Sequence, residues 1–265
     1  MDVELNGETL LYPIAGDPIA QVKSPGLLTG ILVERGKNAL VVPAHVHPDD
    51  YATFVATMKT LPNVDGLIAT VPHKQATLGY CDHPTERAAF AGSVNVMHKR
   101  ADGTWQGDNT DGQGYLNGVA DCGFDIAGKR ALLVGVGGAG AAIAYEILAR
   151  GAAYLAIHDV DSARRDATIA RLEDRFPGKV GVGSADPTGY DFVGNATPVG
   201  MREGDPLPID AHKYESHQFV ADSITKPTIT PQLEIAQSKG CAIMPGLGMF
   251  NAQAELLVDV MTGNS

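Results

Sequence analysis

Cysteine and long apolar runs are scarce in this chain, and each absence excludes a class of protein. The 265 residues contain three cysteines, Cys81, Cys122 and Cys241, which lie far apart and form no C-x-x-C pair. This pattern argues against a disulfide framework and a thiolate metal site. No apolar run approaches the ~18 residues of a membrane span, and the opening MDVELNGETLLY lacks the features of a signal peptide. We therefore expect a cytoplasmic protein without a membrane partner.

Positive charge is also in short supply. Lysine and arginine number 20 against 31 acidic residues, which gives a formal net charge of −11. This balance argues against nucleic acid as a partner, although local cations could still hold a small anionic substrate. Hydrophobic residues at 44% and charged residues at 19% are typical of a globular enzyme with a substantial core.

A glycine-rich turn between two apolar runs is the most informative motif. The run Ala131–Val134 precedes the turn, and the run Tyr154–Ile157 ends in His158 and Asp159. The glycines of the turn are Gly135, Gly137, Gly138 and Gly140. This order matches the dinucleotide fingerprint, whose helix N-terminus binds a pyrophosphate. The alternative is a glycine-rich turn that binds no ligand. The apolar run before the turn, the helix-like segment after it and the acidic residue at Asp159 together favour a nucleotide-binding site. Asp159 would bind ribose hydroxyls and repel a 2′-phosphate, which predicts NAD before NADP.

Roughly half of the chain precedes this motif, which predicts a separate first domain. Its apolar runs alternate with helix-like segments, as in an α/β sheet covered by helices. The predicted strands are Leu10–Ala15, Asn38–Val42, Val64–Thr70 and Val94–His98, and the predicted helices are Pro25–Arg35 and Pro48–Thr60. The turn-forming segment Gly107–Gly114 is predicted to be the crossing between domains.

The second half continues the alternation. A helix is predicted at Tyr115–Cys122, ahead of the glycine turn. Further strands are predicted at Val180–Gly183, Phe192–Ala196 and Phe219–Asp222. Two helices, Pro231–Lys239 and Asn251–Thr262, are predicted on either side of a glycine-rich hinge, Gly246–Met249. We predict an α/β protein of two domains. Residues 1–108 form an α/β substrate domain, residues 109–238 form a doubly wound Rossmann-type nucleotide domain, and the C-terminal helix, within 239–265, returns to the first domain.

Several polar residues have both a functional and an ordinary interpretation. Lys74 follows Pro72 at the end of a predicted strand, where α/β proteins bind ligands, but surface lysines are common. Asp111 is compatible with plain turn chemistry. His45 and His47 are thin evidence for a metal, and solvated or capping roles are favoured, so no metal site is predicted.

Eight segments in order resemble the shikimate dehydrogenase family, which includes quinate/shikimate dehydrogenases. They are Ile14–Pro25, Gly66–Lys74, Ala91–Asn95, Gly107–Gly112, the turn Gly135–Gly140, Asn195–Met201, Asp222–Pro231 and Gly246–Gln253. The resemblance covers nearly the full length, so the family's fold and chemistry become expectations for this chain.

The resemblance implies that Lys74 and Asp111 form the catalytic pair that holds the oxidised hydroxyl and exchanges its proton. It also implies further substrate and cofactor positions. Ser24, Thr70, Asn95 and Gln253 match substrate-binding positions, Ser24 being the second serine of a carboxylate site. The matches to cofactor-binding positions are Gly135, Gly137, Gly138, Ala139, Gly140, Asp159, Asn195, Thr197, Gly246 and Met249. Of these, Gly246 and Met249 match residues that line the nicotinamide pocket.

The chain departs from the family at Val22, Ile68 and Thr225, where a carboxylate serine, an asparagine and a tyrosine are usual. Each lost partner of a buried carboxylate costs about 1–3 kcal/mol. The family's Asn-Arg-Thr for a 2′-phosphate is replaced by residues 159–161, an Asp-Val-Asp sequence, with Arg164 and Arg165 further on as partial compensation.

These observations predict an NAD-dependent dehydrogenase of a shikimate- or quinate-like cyclic hydroxy acid or polyol, acting as a monomer or homodimer. Two alternatives stay open. One is a family member that binds nucleotide and ligand but barely turns over. The other is a dehydrogenase for an alcohol without the carboxylate. If shikimate is nonetheless a good substrate, Lys23 is the first candidate to hold its carboxylate.

Overall fold

Two sheets organise the part of the chain that the structure, a computed structural model, describes: residues 4–20 and 22–264. Each sheet belongs to its own compact unit. The first unit comprises the described residues up to Thr110 together with those from Ala254 onward, and the second comprises Asp111–Gln253. Within the described ranges, no helix is both long and apolar enough to cross a membrane.

The first sheet combines parallel and antiparallel strands. Its strands are β1 (Leu10–Gly16), β2 (Ala39–His45), β3 (Gly66–Ala69), β4 (His83–Pro84), β5 (Val96–Lys99) and β6 (Trp105–Asp108). They are ordered β2-β1-β3-β5-β6-β4. Strands β1, β2 and β3 run parallel, and β5 runs antiparallel to β3. The carboxyl ends of β1 to β3 therefore share one edge with the amino end of β5.

Helices cover this sheet and close its core. They are α1 (Ser24–Glu34), α2 (Tyr51–Thr60), α3 (Lys74–Leu78) and α4 (Glu86–Ala91), with a 3-10 turn, Pro48–Asp50, ahead of α2. One apolar cluster joins Leu28 and Leu32 of α1 to Val258 and Met261 near the chain's end. Arg35 adds ion pairs to Glu255 and Asp259 on the same terminal segment.

The second sheet is wholly parallel and has the predicted Rossmann topology. Its strands are β7 (Arg130–Val134), β8 (Tyr154–His158), β9 (Val180–Val182), β10 (Phe192–Asn195), β11 (Phe219–Asp222) and β12 (Ala242–Met244). The order β9-β8-β7-β10-β11-β12 places the reversal of strand order between β7 and β10. Ligands of such sheets bind in the crevice at the carboxyl ends of the strands beside this reversal.

The helices of the second unit follow the expected alternation. They are α5 (Asp111–Asp121), α6 (Gly138–Ala149), α7 (Ser162–Arg175), α8 (Pro231–Ser238) and the first half of α9 (Gly246–Met261), with a 3-10 turn at Ala211–Lys213.

Three sequence-based expectations need correction. Gly107–Gly114 is not one turn, because β6 continues to Asp108 and α5 begins at Asp111. Gly246–Met249 is not a hinge but the first turn of the continuous helix α9. The second unit does not end at residue 238, because β12 pairs with β11 and keeps the chain in this unit up to Gln253.

Candidate active site

Three predicted substrate-side residues meet at the carboxyl end of β3. Thr70 directly follows this strand, and the backbone N–H of Ala69 donates to the carbonyl of Asn95 at 2.8 Å. One residue away, the N–H of Val94 donates to the carbonyl of Lys74 at 2.8 Å. The backbones of Thr70, Lys74 and Asn95 are therefore brought together by the pairing of β3 with β5.

Lys74 begins α3 and follows a firmly anchored residue, His73. The His73 ring is 2% exposed, and its Nε2 lies 2.8 Å from the carbonyl oxygen of Val46. It stacks on Tyr51 with ring centroids 4.0 Å apart and an interplanar angle of 1°. The sequence predicted a rigid loop before Lys74 on the basis of Pro72. In the structure the loop is held by His73, whose partners lie over 20 residues away in the sequence.

The side chain of Asn95 has a fixed orientation. Its Nδ2 donates to Thr110 Oγ1 at 3.1 Å, and its Oδ1 accepts from the Thr110 N–H at 3.0 Å. Both residues are buried. An amide held in this way would need no further ordering to accept or donate a hydrogen bond to a ligand.

The presumed carboxylate-binding segment is more apolar than in the family pattern. Ser24 starts α1 and is buried, but Val22 packs against the apolar cluster of the first unit. Ile68 lies inside β3 within that same cluster at 3% exposure. Its substitution for asparagine therefore adds to the core, and Val22 is the departure that bears on the ligand edge.

The two histidines at and just after the end of β2 each have a defined partner. His45 Nε2 lies 2.7 Å from Asp17 Oδ1. His47 Nδ1 accepts from the N–H of Asp49 and caps the 3-10 turn, which confirms the capping interpretation. Among the described residues, no group of three or more His, Cys, Asp or Glu side chains is arranged to hold a metal ion.

Asp111 and Gln253 lie together in the second unit. Asp111 is the first residue of α5 and is 2% exposed, and Gln253 Nε2 donates to its Oδ1 at 2.9 Å. A Cβ at Gly114 would lie only 2.7 Å from the Cβ of Gln253, so glycine there permits the close approach. The carboxylate of Asp111 is thus a helix-borne group with a defined partner.

The glycine turn between β7 and α6 has the shape of a dinucleotide cradle. Gly135 has φ +90°, which glycine favours, and its backbone lies against Thr197. A Cβ at Gly140 would collide with the carbonyl of Gly135, whereas Gly137 and Gly138 face open space. Ala139 lies in the first turn of α6, whose N–H groups have no intrahelical acceptors. These residues fit a pyrophosphate.

Asp159 fastens this turn to the end of β8. Its Oδ2 accepts from the N–H of Val136 at 2.9 Å, and its Oδ1 accepts from the N–H of Asp161 at 2.9 Å. Arg164 Nη2 also donates to Oδ1 at 2.9 Å. Burial would raise the pKa of Asp159, but these hydrogen bonds outweigh it and hold the pKa below its ordinary value. Asp159 is therefore ionised at neutral pH and partly neutralised by Arg164.

A buried carboxylate, Asp222, organises the neighbouring loops. Its Oδ1 accepts from Asn195 Nδ2 at 3.2 Å, and its Oδ2 accepts from Thr230 Oγ1 at 2.8 Å and from Gln232 Nε2 at 2.6 Å. Asn195 Oδ1 in turn accepts from the N–H of Thr197 at 3.0 Å. Burial raises the pKa of Asp222, and its hydrogen bonds offset this only in part. Sequence reasoning named Asp222 only as the end of a strand and the start of a family segment, because its side-chain partners come from two separate segments, Asn195 and Thr230–Gln232.

The start of α9 completes the edge of the second unit. A Cβ at Gly246 would collide with the backbone of Ile224, so glycine allows the helix to begin against the loop after β11. Met249 is half-buried in the first turn of α9, and Thr225 is exposed. The cofactor-side residues expected from the resemblance thus lie at the carboxyl ends of β7, β8 and β10, in the first turn of α6 and in the first turn of α9.

Comparison with known proteins agrees with this architecture. Residues 14–97 match the family model described as shikimate dehydrogenase substrate binding domain. A shikimate dehydrogenase (NADP(+)) from Geobacter metallireducens is 32% identical over 98% of this chain and 94% of its own length. Shikimate 5-dehydrogenase from Listeria monocytogenes, solved with shikimate and NAD, is 26% identical with a TM-score of 0.91, covering 99% of this chain and 95% of that one.

A second solved structure has a different substrate in its name. The 5-ketofructose reductase of Gluconobacter sp. strain CHM43 is 30% identical with a TM-score of 0.87, covering 96% of this chain and 93% of that one. The near-complete coverage of the curated relative, the matching family model and the two-sheet fold identify the family. The chain belongs to the shikimate dehydrogenase family of nicotinamide-dependent CH–OH oxidoreductases.

Proposed function

We propose that this chain transfers a hydride reversibly between a nicotinamide cofactor and the ring hydroxyl of shikimate, quinate or a related cyclic polyol. The observation that carries the proposal is the grouping of Thr70, Lys74 and Asn95 at the carboxyl end of β3. A lysine beside two neutral hydrogen-bonding side chains suits a polyhydroxylated ring. The nicotinamide, when bound, supplies the hydride acceptor.

In this proposal Lys74 moves the proton. Its amine takes the hydroxyl proton as the adjacent C–H bond is broken, and returns it in the reverse direction. Asp111 matches the family's partner carboxylate, and the resemblance assigns it to the same proton transfer. Thr70, Asn95 and Gln253 orient the ring hydroxyls. The anchored His73 and the amide of Asn95, fixed by Thr110, support such positioning, because catalytic groups need a narrow range of geometry.

The substrate panel is the direct test. Shikimate, quinate, a neutral cyclic polyol and 5-ketofructose are offered in the appropriate redox direction with each nicotinamide cofactor, and turnover is followed by nicotinamide absorbance. Turnover of shikimate or quinate supports the proposal. Measurable binding of nucleotide and ligand with negligible turnover of every substrate contradicts it and favours a binding protein.

A second candidate, a substrate without a carboxylate, is favoured by one specific observation. Val22 stands where the family has a carboxylate-binding serine, and it packs against the apolar cluster. The 5-ketofructose reductase shows that this fold also occurs in a protein named for a ketose. Turnover of the neutral polyol or the ketose far above that of shikimate would decide for this candidate.

For the cofactor we propose NAD ahead of NADP. An ionised Asp159 repels a 2′-phosphate, and the neighbouring Val160 is 96% exposed and offers no cation. Arg164 offsets part of this repulsion through its contact with Asp159. The curated relative carries NADP(+) in its name, and the Listeria structure contains NAD, so the family alone does not decide the preference.

Calorimetric titration of both nucleotides under identical conditions tests the preference, and equal or tighter NADP⁺ binding contradicts it. The double variant Asp159→Asn/Val160→Arg should shift the ratio of dissociation constants toward NADP⁺ by roughly 10-fold or more, since a charged hydrogen bond contributes about 1.5–3 kcal/mol. Asp174→Asn, exposed on α7, is the matched control and should leave the ratio unchanged.

A further inference from the structure

A buried ion pair lies around Asp108, at the carboxyl end of β6 and on the same edge of the sheet as the carboxyl end of β3. Asp108 is 2% exposed, and its Oδ1 accepts from Arg87 Nε at 2.8 Å. The same oxygen accepts from Thr85 Oγ1 at 2.5 Å and from the N–H of Asn109 at 2.7 Å. Thr85, Arg87 and Asp108 are called the Asp108 corner below. One carboxylate oxygen thus joins α4 to the segment that follows β6.

The hydrogen bonds continue from the Asp108 corner to the proposed site residues. Asn109 Nδ2 donates to Ser93 Oγ at 2.9 Å. The N–H of Asn95 donates to the Asp108 carbonyl at 3.0 Å, and the N–H of Thr110 donates to Asn95 Oδ1. Asp111 is the next residue in the chain. The backbone that carries Asn95 and the backbone that leads into Asp111 are therefore both bonded to Asp108 or to its immediate neighbour.

Pairing of the short strand β4 with β6 assembles the corner. Pro84 lies opposite Gly107, and the N–H of Thr85 donates to the carbonyl of Gly107 at 2.8 Å. This register brings Thr85 and Arg87 beside Asp108 although they are more than 20 residues apart in sequence. Thr85 also caps α4 by accepting from the N–H of Ala88. The corner is consequently a fixed part of the first unit.

We propose that Arg87 is a positioning residue for the reaction. Its guanidinium holds the Asp108 carboxylate toward the N–H of Asn109 and thereby sets the backbone from which Asn95 and Asp111 project. A buried carboxylate that loses its cation is strongly destabilised, and here the Asp108 carboxylate is expected to change its orientation. That change alters the acceptor for the N–H of Asn109. The inference rests on the proposed function, since it gives Arg87 a role in that catalysis.

Arg35 provides a matched control for a purely structural ion pair. Its side chain is 32% exposed, the same as that of Arg87, and it pairs with two carboxylates of the same unit, Glu255 and Asp259. These partners lie on the second half of α9. Arg35→Gln therefore removes an arginine of the same exposure, although its carboxylate partners are more exposed than Asp108, and it does not touch the Asp108 corner.

The experiment compares Arg87→Gln, Arg87→Lys and Arg35→Gln in the full chain. Thermal stability, kcat, KM, cofactor affinity and amide hydrogen exchange over residues 108–111 are measured for each. Arg87→Gln should lower kcat about 10-fold or more, because displacements near 1 Å have effects of this size. Its exchange over residues 108–111 should quicken, while cofactor affinity stays near that of the wild type. Arg87→Lys keeps the charge and should give intermediate values.

Arg35→Gln should lose stability while kcat stays near that of the wild type. Wild-type kcat in Arg87→Gln, or a loss no greater than in Arg35→Gln, overturns the proposal. If Arg87→Gln does not fold, wild-type kcat and exchange in Arg87→Lys overturn it instead. If the wild type turns over no substrate of the panel, the proposed function has failed separately. Hydrogen exchange then still tests the Asp108 corner, and unchanged exchange in both Arg87 variants overturns it.

Discussion

The proposed ligand-binding edges of the two sheets are formed by different parts of the chain. In the second unit, glycine and backbone make the edge, because Gly135 and Gly140 permit contacts that any Cβ would block. In the first unit, side chains make it, and Lys74 and Asn95 are supported by hydrogen-bonded neighbours. A binding site formed by close backbone contacts tolerates few substitutions. A binding site formed by side chains can change its ligand preference through one substitution, such as the valine at position 22. This contrast is consistent with one nucleotide fold serving relatives that are named for different substrates.

The largest effect that would sharpen this contrast is expected from Lys74→Ala. Loss of the proposed proton-transfer group should lower kcat by about 100-fold or more. Cofactor affinity should remain close to that of the wild type, because the glycine turn belongs to the other unit. Steady-state kinetics and nucleotide titration measure the two effects, with the exposed Lys37→Ala as control. Near-wild-type turnover would remove Lys74 from the mechanism.

Two glycines of the turn should respond differently to alanine. Gly140→Ala forces a Cβ against the carbonyl of Gly135 and should lower the free energy of unfolding by about 1–3 kcal/mol. Gly137 has open space around it and φ −69°, so Gly137→Ala should fold normally. It should still weaken nucleotide binding, because the methyl group would occupy the space proposed for the pyrophosphate. Equal stability of the two variants, measured by thermal unfolding, would contradict this assignment.

A smaller effect, on the opposite edge, is expected from Val22→Ser. Restoring a hydroxyl donor beside Ser24 should lower the KM for shikimate by roughly 10-fold if the added hydrogen bond contributes about 1.4 kcal/mol. The partner change Thr225→Tyr should add to the effect. Val33→Ser, on the last turn of α1, is the control and should not alter this KM. An unchanged KM in Val22→Ser would favour a substrate without a carboxylate.

The smallest effect concerns acid stability at Asp159. Its pKa is lowered in the folded protein, so its contribution to stability is complete above the unfolded value near 3.9 and is lost as pH falls through the folded value. Asp159→Asn should therefore lower Tm at neutral pH, by less than about 4 °C, and the difference from wild type should shrink at about pH 3. Thermal scans at both pH values, with Asp174→Asn as control, measure this. A difference that grows on acidification would contradict it.

Sequence reasoning succeeded where the structure is locally encoded. Phe219–Asp222 is a strand with the predicted bounds, and the strand–turn–helix–strand order around Gly135 is confirmed. It failed at Gly246–Met249, because glycine is typical of turns. The close approach of Gly246 to the backbone of Ile224 explains why a glycine begins this helix. Sequence reasoning also missed β12, which lies between the predicted helix Pro231–Lys239 and the expected hinge at Gly246.

Distant partners explain what was missed at the site. Arg87 and Asp108 meet only through the pairing of β4 with β6, and β4 has two residues. His73 is anchored by Val46 and Tyr51, which lie more than 20 residues earlier in the sequence. The motifs GDNTDG and TVPHK identified the neighbourhood in each case, but no local signal identified these partners. The catalytic roles of Lys74 and Asp111 stay predictions until the variants are measured.

The course of α9, which starts in one unit and ends in the other, has a consequence for biosynthesis. The apolar cluster of the first unit includes Ala254, Leu257, Val258 and Met261 from the second half of this helix. A ribosome releases these residues after the whole of Asp111–Gln253 has been made. The second unit is continuous in sequence and can acquire its fold while translation proceeds. The first unit is made first, but its core lacks the α9 residues until the end of translation. Until then its apolar surface stays exposed, and this is the stage at which chaperones would be needed.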